Sequence, residues 1–143
     1  MTEELIKLGW EEWLALPDLS LPAIQAKIDT GARTSALHAT QIEPYGPDVN
    51  PKLRFVVHPV PGNPAFSVPC SAAVKDRRAV TSSNGETELR YVIETNLNVG
   101  EKTWPIEVTL TDRRGMASHM LLGRQATRKR VLVDPGASFV GGR

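Results

Sequence analysis

The chain has 143 residues, of which 41% are hydrophobic and 23% charged, so it is long enough for one globular domain and its composition excludes disorder. Seventeen basic and sixteen acidic side chains give a net charge of +1, which excludes a global field that would attract nucleic acid or a membrane. The longest apolar run, residues 13–16, is far below the ~20 residues of a membrane helix, and the start MTEELIKLGW lacks the regions of a signal peptide. We therefore predict a single cytoplasmic domain over residues 1–143, with no nucleic-acid or membrane partner.

Short strands are the predicted elements, because eleven prolines and eleven glycines interrupt the chain at short intervals. In chain order, strands are predicted over residues 10–16, 23–28, 36–42, 53–59, 65–70, 89–95, 104–110 and 131–134. Helices are predicted over residues 3–8 and 124–130, and a surface loop over residues 43–52. Pro105 indicates an edge or a bulge in its strand, since proline cannot donate a ladder hydrogen bond.

A projecting hairpin is predicted over residues 78–91. The pair Asn84-Gly85 lies at the centre of TSSNGETELR, and Asn-Gly is the strongest short-range hairpin signal. Together the elements predict an all-β domain, a sandwich or a closed barrel, with one short helix near the C-terminal end.

The stretch KIDTGARTS places Asp29 directly after an apolar strand. An acid protease holds two carboxylates ~3 Å apart around one water, so that they share a proton. Such a site needs a small, hydrogen-bonded turn: Thr30 can bond across it, Gly31 permits close backbone approach and Ala32 leaves space for substrate. The alternative is an ordinary turn, because Asp, Gly, Thr and Ser are common turn residues.

The Asp-Thr-Gly-Ala segment resembles the signature of the retropepsin-like aspartic peptidases. Met120 to Arg124, MLLGR, is similar to a second element of these proteins, in which Leu121 and Leu122 would pack beside the turn and Gly123 would lie where backbones crowd. Five blocks resemble, in order, the bacterial family long labelled ATP-dependent zinc proteases, now regarded as retropepsin-like, which includes RimB: KIDTGARTSALHA, RRAVTSSNGETELRYVI, IEVTLTDRRGM, LLGRQA and VLVDPGASF. The resemblance runs from about residue 8 to residue 139.

This resemblance implies a closed retropepsin-like β-barrel with a flap hairpin and an aspartic peptidase activity that needs no cofactor. Members are often encoded near an ATP-grasp glutamate ligase such as RimK, and RimB-type members are linked to trimming glutamate tails that the ligase adds to a ribosomal protein. The implied catalytic residues are Asp29, Thr30 and Gly31. The implied substrate-binding residues are Ala32, Arg33, Thr34, Ser35, Ser82, Ser83, Gly85 and Arg124.

Arg33 departs from the viral members, which carry an acidic residue at this position. Guanidinium groups bind carboxylates through paired hydrogen bonds, so Arg33 and the arginines near the other motifs would suit an acidic peptide. The alternative for any single arginine is a solvated surface residue paired with a nearby acid.

Only one Asp-Thr-Gly is present, whereas the chemistry requires two carboxylates. Asp134 is followed by Pro-Gly, a β-turn pattern, and is a poor second acid. We therefore predict a homodimer in which the Asp29 of each subunit meets at the two-fold axis.

Two other functions remain open at this point. One is a non-catalytic module that binds acidic peptides or accompanies a ligase. The other is a zinc metallopeptidase, although His38, His58 and His119 show no H-E-x-x-H spacing, and we predict no metal site. The single cysteine, Cys70, is most simply a buried hydrophobe, and no glycine-rich phosphate loop supports ATP binding.

Overall fold

The structure, a computed structural model, describes residues 5–60, 66–81, 85–111 and 118–140. In these residues the strands are β1 (Ile6–Gly9), β2 (Glu11–Leu16), β3 (Leu21–Ile28), β4 (Ser35–Tyr45), β5 (Lys52–Val57), β6 (Val68–Ala73), β7 (Asp76–Thr81), β8 (Thr87–Val99), β9 (Lys102–Thr111), β10 (Met120–Leu122) and β11 (Val131–Asp134). The helical elements are one 3-10 turn, Pro17–Leu19, and the helix α1 (Arg124–Thr127). No helix of the described segments is long and apolar enough to cross a membrane.

The main sheet has nine strands, and part of it closes on itself. Its order is β10-β3-β2-β8-β9-β4-β5-β6, with β7 paired to β8. Because β10 pairs with β3 on one side and with β4 on the other, the strands from β10 to β4 form a ring. The separate pair β1 and β11 runs parallel. This architecture confirms the all-β, barrel-like prediction and its short C-terminal helix.

Alternation along the strands fills the ring with apolar side chains. Every second residue of β2 is buried, and its Leu14 and Leu16 belong to the same core cluster as the fully buried Ile24, Ile93 and Leu97. Trp104 of β9 packs against the same core and its Nε1–H donates to the Ala126 carbonyl at 2.9 Å. This bond attaches α1 to the barrel wall.

A buried carboxylate fixes the chain's two end segments to each other. Glu12 is fully buried in β2, and its Oε2 accepts hydrogen bonds from the backbone N–H groups of Gly9 at 2.6 Å and Val140 at 2.8 Å. A Cβ on Gly9 would lie only 2.1 Å from the Ala137 carbonyl oxygen, so the C-terminal segment lies directly on β1. The sequence pattern gave no sign of this arrangement.

Several predicted elements were wrong in type or extent. The predicted helix 3–8 is instead β1 from Ile6, because pairing with β11 overrides a weak helical propensity; residues 1–4 lie outside the described segments. The predicted helix 124–130 ends at Thr127, and Lys129 has a left-handed φ of 63° that α-helix excludes. Strand β4 continues through Tyr45 into the predicted loop 43–52.

Other predictions were met more closely. Strands β7 and β8 form the predicted hairpin, paired from Asp76 opposite Val92 to Thr81 opposite Thr87. Pro105 lies on the part of β9 that precedes its pairing with β4, which begins at Val108, so its edge position is confirmed.

Candidate active site

The Asp29 turn continues the pairing of β3 with β10. The backbone N–H of Asp29 donates to the Leu122 carbonyl at 2.9 Å, one residue beyond the strand pairing of Ile28 with Leu122. Asp29 Oδ1 then accepts the N–H of Gly31 at 2.9 Å, and the Asp29 carbonyl accepts the N–H of Ala32 at 3.2 Å. This Asx turn aims the carboxylate and leaves Oδ2 without a hydrogen bond to any described residue.

Gly123 packs against the backbone of Thr34, just after the turn, and this close approach requires a residue without a side chain. A Cβ at this position would lie 2.6 Å from the carbonyl carbon and oxygen of Thr34, which is closer than real contacts allow. The N–H of Gly123 donates to the buried Ser35 hydroxyl at 3.0 Å. The predicted role of Gly123, a glycine where two backbones crowd, matches this geometry.

Helix α1 fixes the residues that follow the turn. The N–H groups of Arg124 and Gln125 donate to the carbonyls of Ala32, at 2.8 Å, and Arg33, at 3.1 Å. The Arg124 guanidinium Nη1 donates to the Gly31 carbonyl at 3.2 Å. The first backbone N–H groups of a helix lack intrahelical partners, and here the turn supplies two of the acceptors.

The structure therefore brings most of the sequence-predicted site residues into one place. The assembled residues are Asp29, Thr30, Gly31, Ala32, Arg33, Thr34, Ser35, Leu121, Leu122, Gly123 and Arg124. Asp29 is partly exposed, while Thr30, Gly31 and Arg33 are exposed. Ser35 is buried, and its bond to Gly123 favours a positioning role over the predicted contact with substrate.

Of the predicted flap residues, Gly85 lies in the described part of the chain, and no hydrogen bond joins it to a described residue of the Asp29 turn. Gly85 has a left-handed φ of 88° and is exposed near the end of the β7–β8 hairpin, where a Cβ would meet nothing within 4 Å. Ser82 and Ser83 lie outside the described residues.

Thr109 is a contributor to the site that sequence reasoning missed. Its hydroxyl donates to the Ser35 carbonyl at 3.0 Å and is buried between β9 and β4. In sequence, Thr109 is only one of the polar residues of the predicted strand 104–110. Its role depends on the parallel pairing of Ser35 with Val108, which no local pattern reveals.

The three histidines pack together, with His38 on β4, His58 just after β5 and His119 just before β10. The His38 ring centroid is 4.5 Å from that of His119 and 5.4 Å from that of His58. His119 Nδ1–H donates to the His58 carbonyl, and His58 Nε2 bonds the Thr40 hydroxyl at 2.8 Å. Among the described residues no group of three His, Cys, Asp or Glu side chains has the geometry of a metal site.

Cys70 has the character of a buried thiol. Burial raises the pKa of its thiol to about 11, and its Sγ lies 3.5 Å from the Leu19 carbonyl oxygen. The thiolate that nucleophilic catalysis requires is therefore disfavoured at neutral pH.

The ring of strands and its internally braced turn define a class of small all-β domains built around an Asp-Thr-Gly motif. The chain belongs to the RimB-like family of retropepsin-like aspartic endopeptidases, whose family model matches residues 7–143. A Legionella pneumophila protein of unknown function, assigned to DUF785, has a similar solved structure. Its TM-score is 0.79 at 28% identity, over 96% of this chain and 99% of that protein.

Two curated relatives carry the name "Probable alpha-L-glutamate ligase". The protein from Shewanella pealeana is 44% identical over 97% of this chain. The protein from Parasynechococcus marenigrum is 47% identical over 96% of this chain. The chain spans only 30% and 29% of the lengths of these relatives, so they contain much sequence beyond the matched segment.

Proposed function

We propose that this chain is an aspartic peptidase that acts as a homodimer, with the Asp29 of each subunit facing one water. The observation that carries the proposal is the braced turn, in which one carboxylate oxygen of Asp29 accepts the N–H of Gly31 at 2.9 Å. Asp29 is partly exposed at the protein surface, where a second subunit could approach it.

The proposed reaction is the hydrolysis of a peptide bond. The ionised Asp29 of one subunit takes a proton from the water, and the oxygen of that water attacks the scissile carbonyl carbon. The protonated carboxyl of the partner subunit's Asp29 donates a hydrogen bond to the carbonyl oxygen, where negative charge develops. Transfer of a proton to the leaving nitrogen then breaks the C–N bond and yields a carboxylic acid and an amine.

Surface features support a second copy as the source of the other carboxylate. Thr30 and Gly31, which directly follow Asp29 in the turn, are exposed. Leu132 of β11 is 57% exposed, and Trp10, the residue directly after β1, is 42% exposed. Open strand edges and exposed apolar side chains are typical of a surface that another chain covers.

Asp134 is a weaker candidate for the second carboxylate. Its Oδ1 accepts the N–H of Gly136 at 3.0 Å, which is the same Asx geometry as at Asp29. The residues after it are Pro135 and Gly136 rather than Thr and Gly. Within the described segments, no stretch like Leu121–Arg124 is hydrogen-bonded to this turn.

We propose acidic, glutamate-tailed peptides or proteins as the substrates. Arg33 is exposed next to the turn and forms no ion pair with any described residue, so its guanidinium is available to a carboxylate. The curated relatives are named for glutamate ligation, and the segment like this chain makes up 30% of one of them. A ligase product is therefore a reasonable substrate, and an ATP-grasp glutamate ligase is the proposed functional partner.

A second candidate function is a non-catalytic module that binds acidic peptides. The observation in its favour is the ligase name of the relatives, because a binding module could hold the product of such an enzyme. The two proposals differ in turnover: the peptidase releases new amino groups from a glutamate-tailed peptide, and the module releases none.

The dimeric peptidase proposal is tested by measuring activity and mass under the same conditions. Hydrolysis of a synthetic glutamate-tailed peptide is followed across a dilution series while analytical ultracentrifugation reports the oligomeric state. We expect activity per chain to fall with the dimer fraction, because a monomer has one carboxylate. A chelator should leave the rate unchanged.

Two outcomes contradict this proposal. One is full activity per chain at a concentration where the protein is monomeric. The other is loss of activity with a chelator and its recovery with zinc, which would support the metallopeptidase.

A further inference from the structure

The two faces of the β7–β8 hairpin differ in whether their cationic side chains form ion pairs with described residues. Arg77 and Arg78 are neighbours on β7, so their side chains point to opposite faces. Arg78 donates through Nε to Asp76 and through Nη1 to Glu107, both at 2.8 Å. This bond from Arg78 is the main cause that lowers the pKa of the Glu107 carboxyl.

The Arg78 face contains further ion pairs. Lys75 lies between two glutamates that face each other across β8 and β9, at 2.6 Å from Glu94 and 3.5 Å from Glu107. Arg90, directly opposite Arg78, contacts Glu88 at 3.2 Å. The cations of this face are therefore already paired within the chain.

The Arg77 face has a different character. It continues the core-facing side of β8, where Ile93 is fully buried, outward to Tyr91 and Leu89. Arg77 is directly opposite Tyr91, and its guanidinium carbon lies 5.0 Å from the centroid of the Tyr91 ring. No described residue forms an ion pair with Arg77.

Apolar surface lies next to Arg77. Leu89 is 58% exposed, and Ala79 directly opposite it is also exposed. Stacking on the Tyr91 ring limits the freedom of the Arg77 side chain while its N–H groups at the edge remain free to donate. The face therefore combines a pre-oriented cation with a small apolar patch.

A glutamate side chain complements this combination. Its two methylene groups can cover Leu89 and Ala79 while its carboxylate accepts paired hydrogen bonds from Arg77. We propose that Arg77, Tyr91 and Leu89 form a subsite that binds a glutamate side chain of a peptide lying against this face of the hairpin. The proposal names a specificity-determining site for the peptidase function proposed above and rests on it.

The test uses binding, so that it does not depend on turnover. A fluorescently labelled oligoglutamate peptide is titrated with the Asp29→Asn chain, and its anisotropy gives Kd. We expect Arg77→Gln to raise Kd about tenfold, as expected for loss of a charge-assisted hydrogen-bonded pair. Leu89→Ala should raise it by a smaller factor, about threefold.

Arg78→Gln is the matched control, because it removes the same charge one residue away on the opposite face. We expect it to leave Kd within about twofold, since exposed ion pairs contribute little and act weakly at a distance. Circular dichroism and thermal melting of each variant would confirm folding.

Equal weakening by Arg77→Gln and Arg78→Gln would overturn the subsite, since it would indicate attraction to net charge alone. Absence of oligoglutamate binding by the Asp29→Asn chain would also overturn it. If binding depends on Arg77 but the unmodified chain releases no amine, the subsite holds and the peptidase proposal fails. The two proposals are therefore separable.

Discussion

Replacing Asp29 with asparagine is expected to lower hydrolysis of a glutamate-tailed peptide by at least about a thousandfold, the scale expected for loss of an essential general base. The thermal unfolding midpoint should remain unchanged. Asparagine retains an Oδ1 that can accept the Gly31 N–H, so the Asx turn is preserved. It cannot exchange a proton with the attacking water, so the chemistry is lost. Release of new amino groups measures the rate, and circular dichroism measures folding.

Asp134→Asn is the matched control for this substitution. Asp134 Oδ1 accepts the Gly136 N–H at 3.0 Å, so the same chemical change is made in the same type of turn. We expect this variant to retain full activity. Undiminished turnover by Asp29→Asn would contradict the peptidase proposal, and peptide binding without turnover in the unmodified chain would favour the binding module.

Replacing Gly123 with alanine is expected to destabilise the fold by about 3 kcal/mol, near the upper end of overpacking effects. The new Cβ would lie 2.6 Å from the Thr34 carbonyl atoms, so one backbone must move. Movement would weaken the bonds of Gly123 to Ser35 and of Asp29 to Leu122. Because small displacements of reacting groups cost about a hundredfold in rate, activity should fall even where the variant remains folded.

Chemical denaturation measures the change in the free energy of unfolding caused by Gly123→Ala. Gly136→Ala is the control for this substitution. A Cβ on Gly136 would be 3.5 Å from its nearest neighbour, Asp134 Oδ1, an ordinary contact. We expect that variant to differ from the unmodified chain by less than about 0.5 kcal/mol. Equal stability of the two variants would mean that Gly123 does not brace the turn.

The turn itself was predictable because its decisive contacts are local. Asp29 Oδ1 bonds a backbone group only two residues away, and such contacts depend on residue type more than on the remainder of the fold. The β7–β8 hairpin was predictable for the same reason, since Asn84-Gly85 favours a tight reversal. The second motif, Leu121 to Arg124, came from resemblance, and the structure adds the bonds through which it holds the turn.

Features that depend on strand pairing escaped sequence reasoning. Residues Ile6–Gly9 form a strand only because β11 is available beside them. The histidine cluster arises because β4 carries His38 past the segments that contain His58 and His119, which are distant along the chain. Adjacent arginines 77 and 78 look equivalent in sequence, and only the pairing of β7 with β8 and of β8 with β9 separates the stacked one from the ion-paired one.

The distance between the two Asp29 carboxylates in a crystal structure of the peptide-bound protein tests the central proposal most directly. We expect a symmetric dimer in which oxygens of Asp29 and of the partner subunit's Asp29 lie about 3 Å apart and share one proton. A peptide-bound assembly that keeps these carboxylates well beyond hydrogen-bonding reach of each other and of a common water would contradict the proposal.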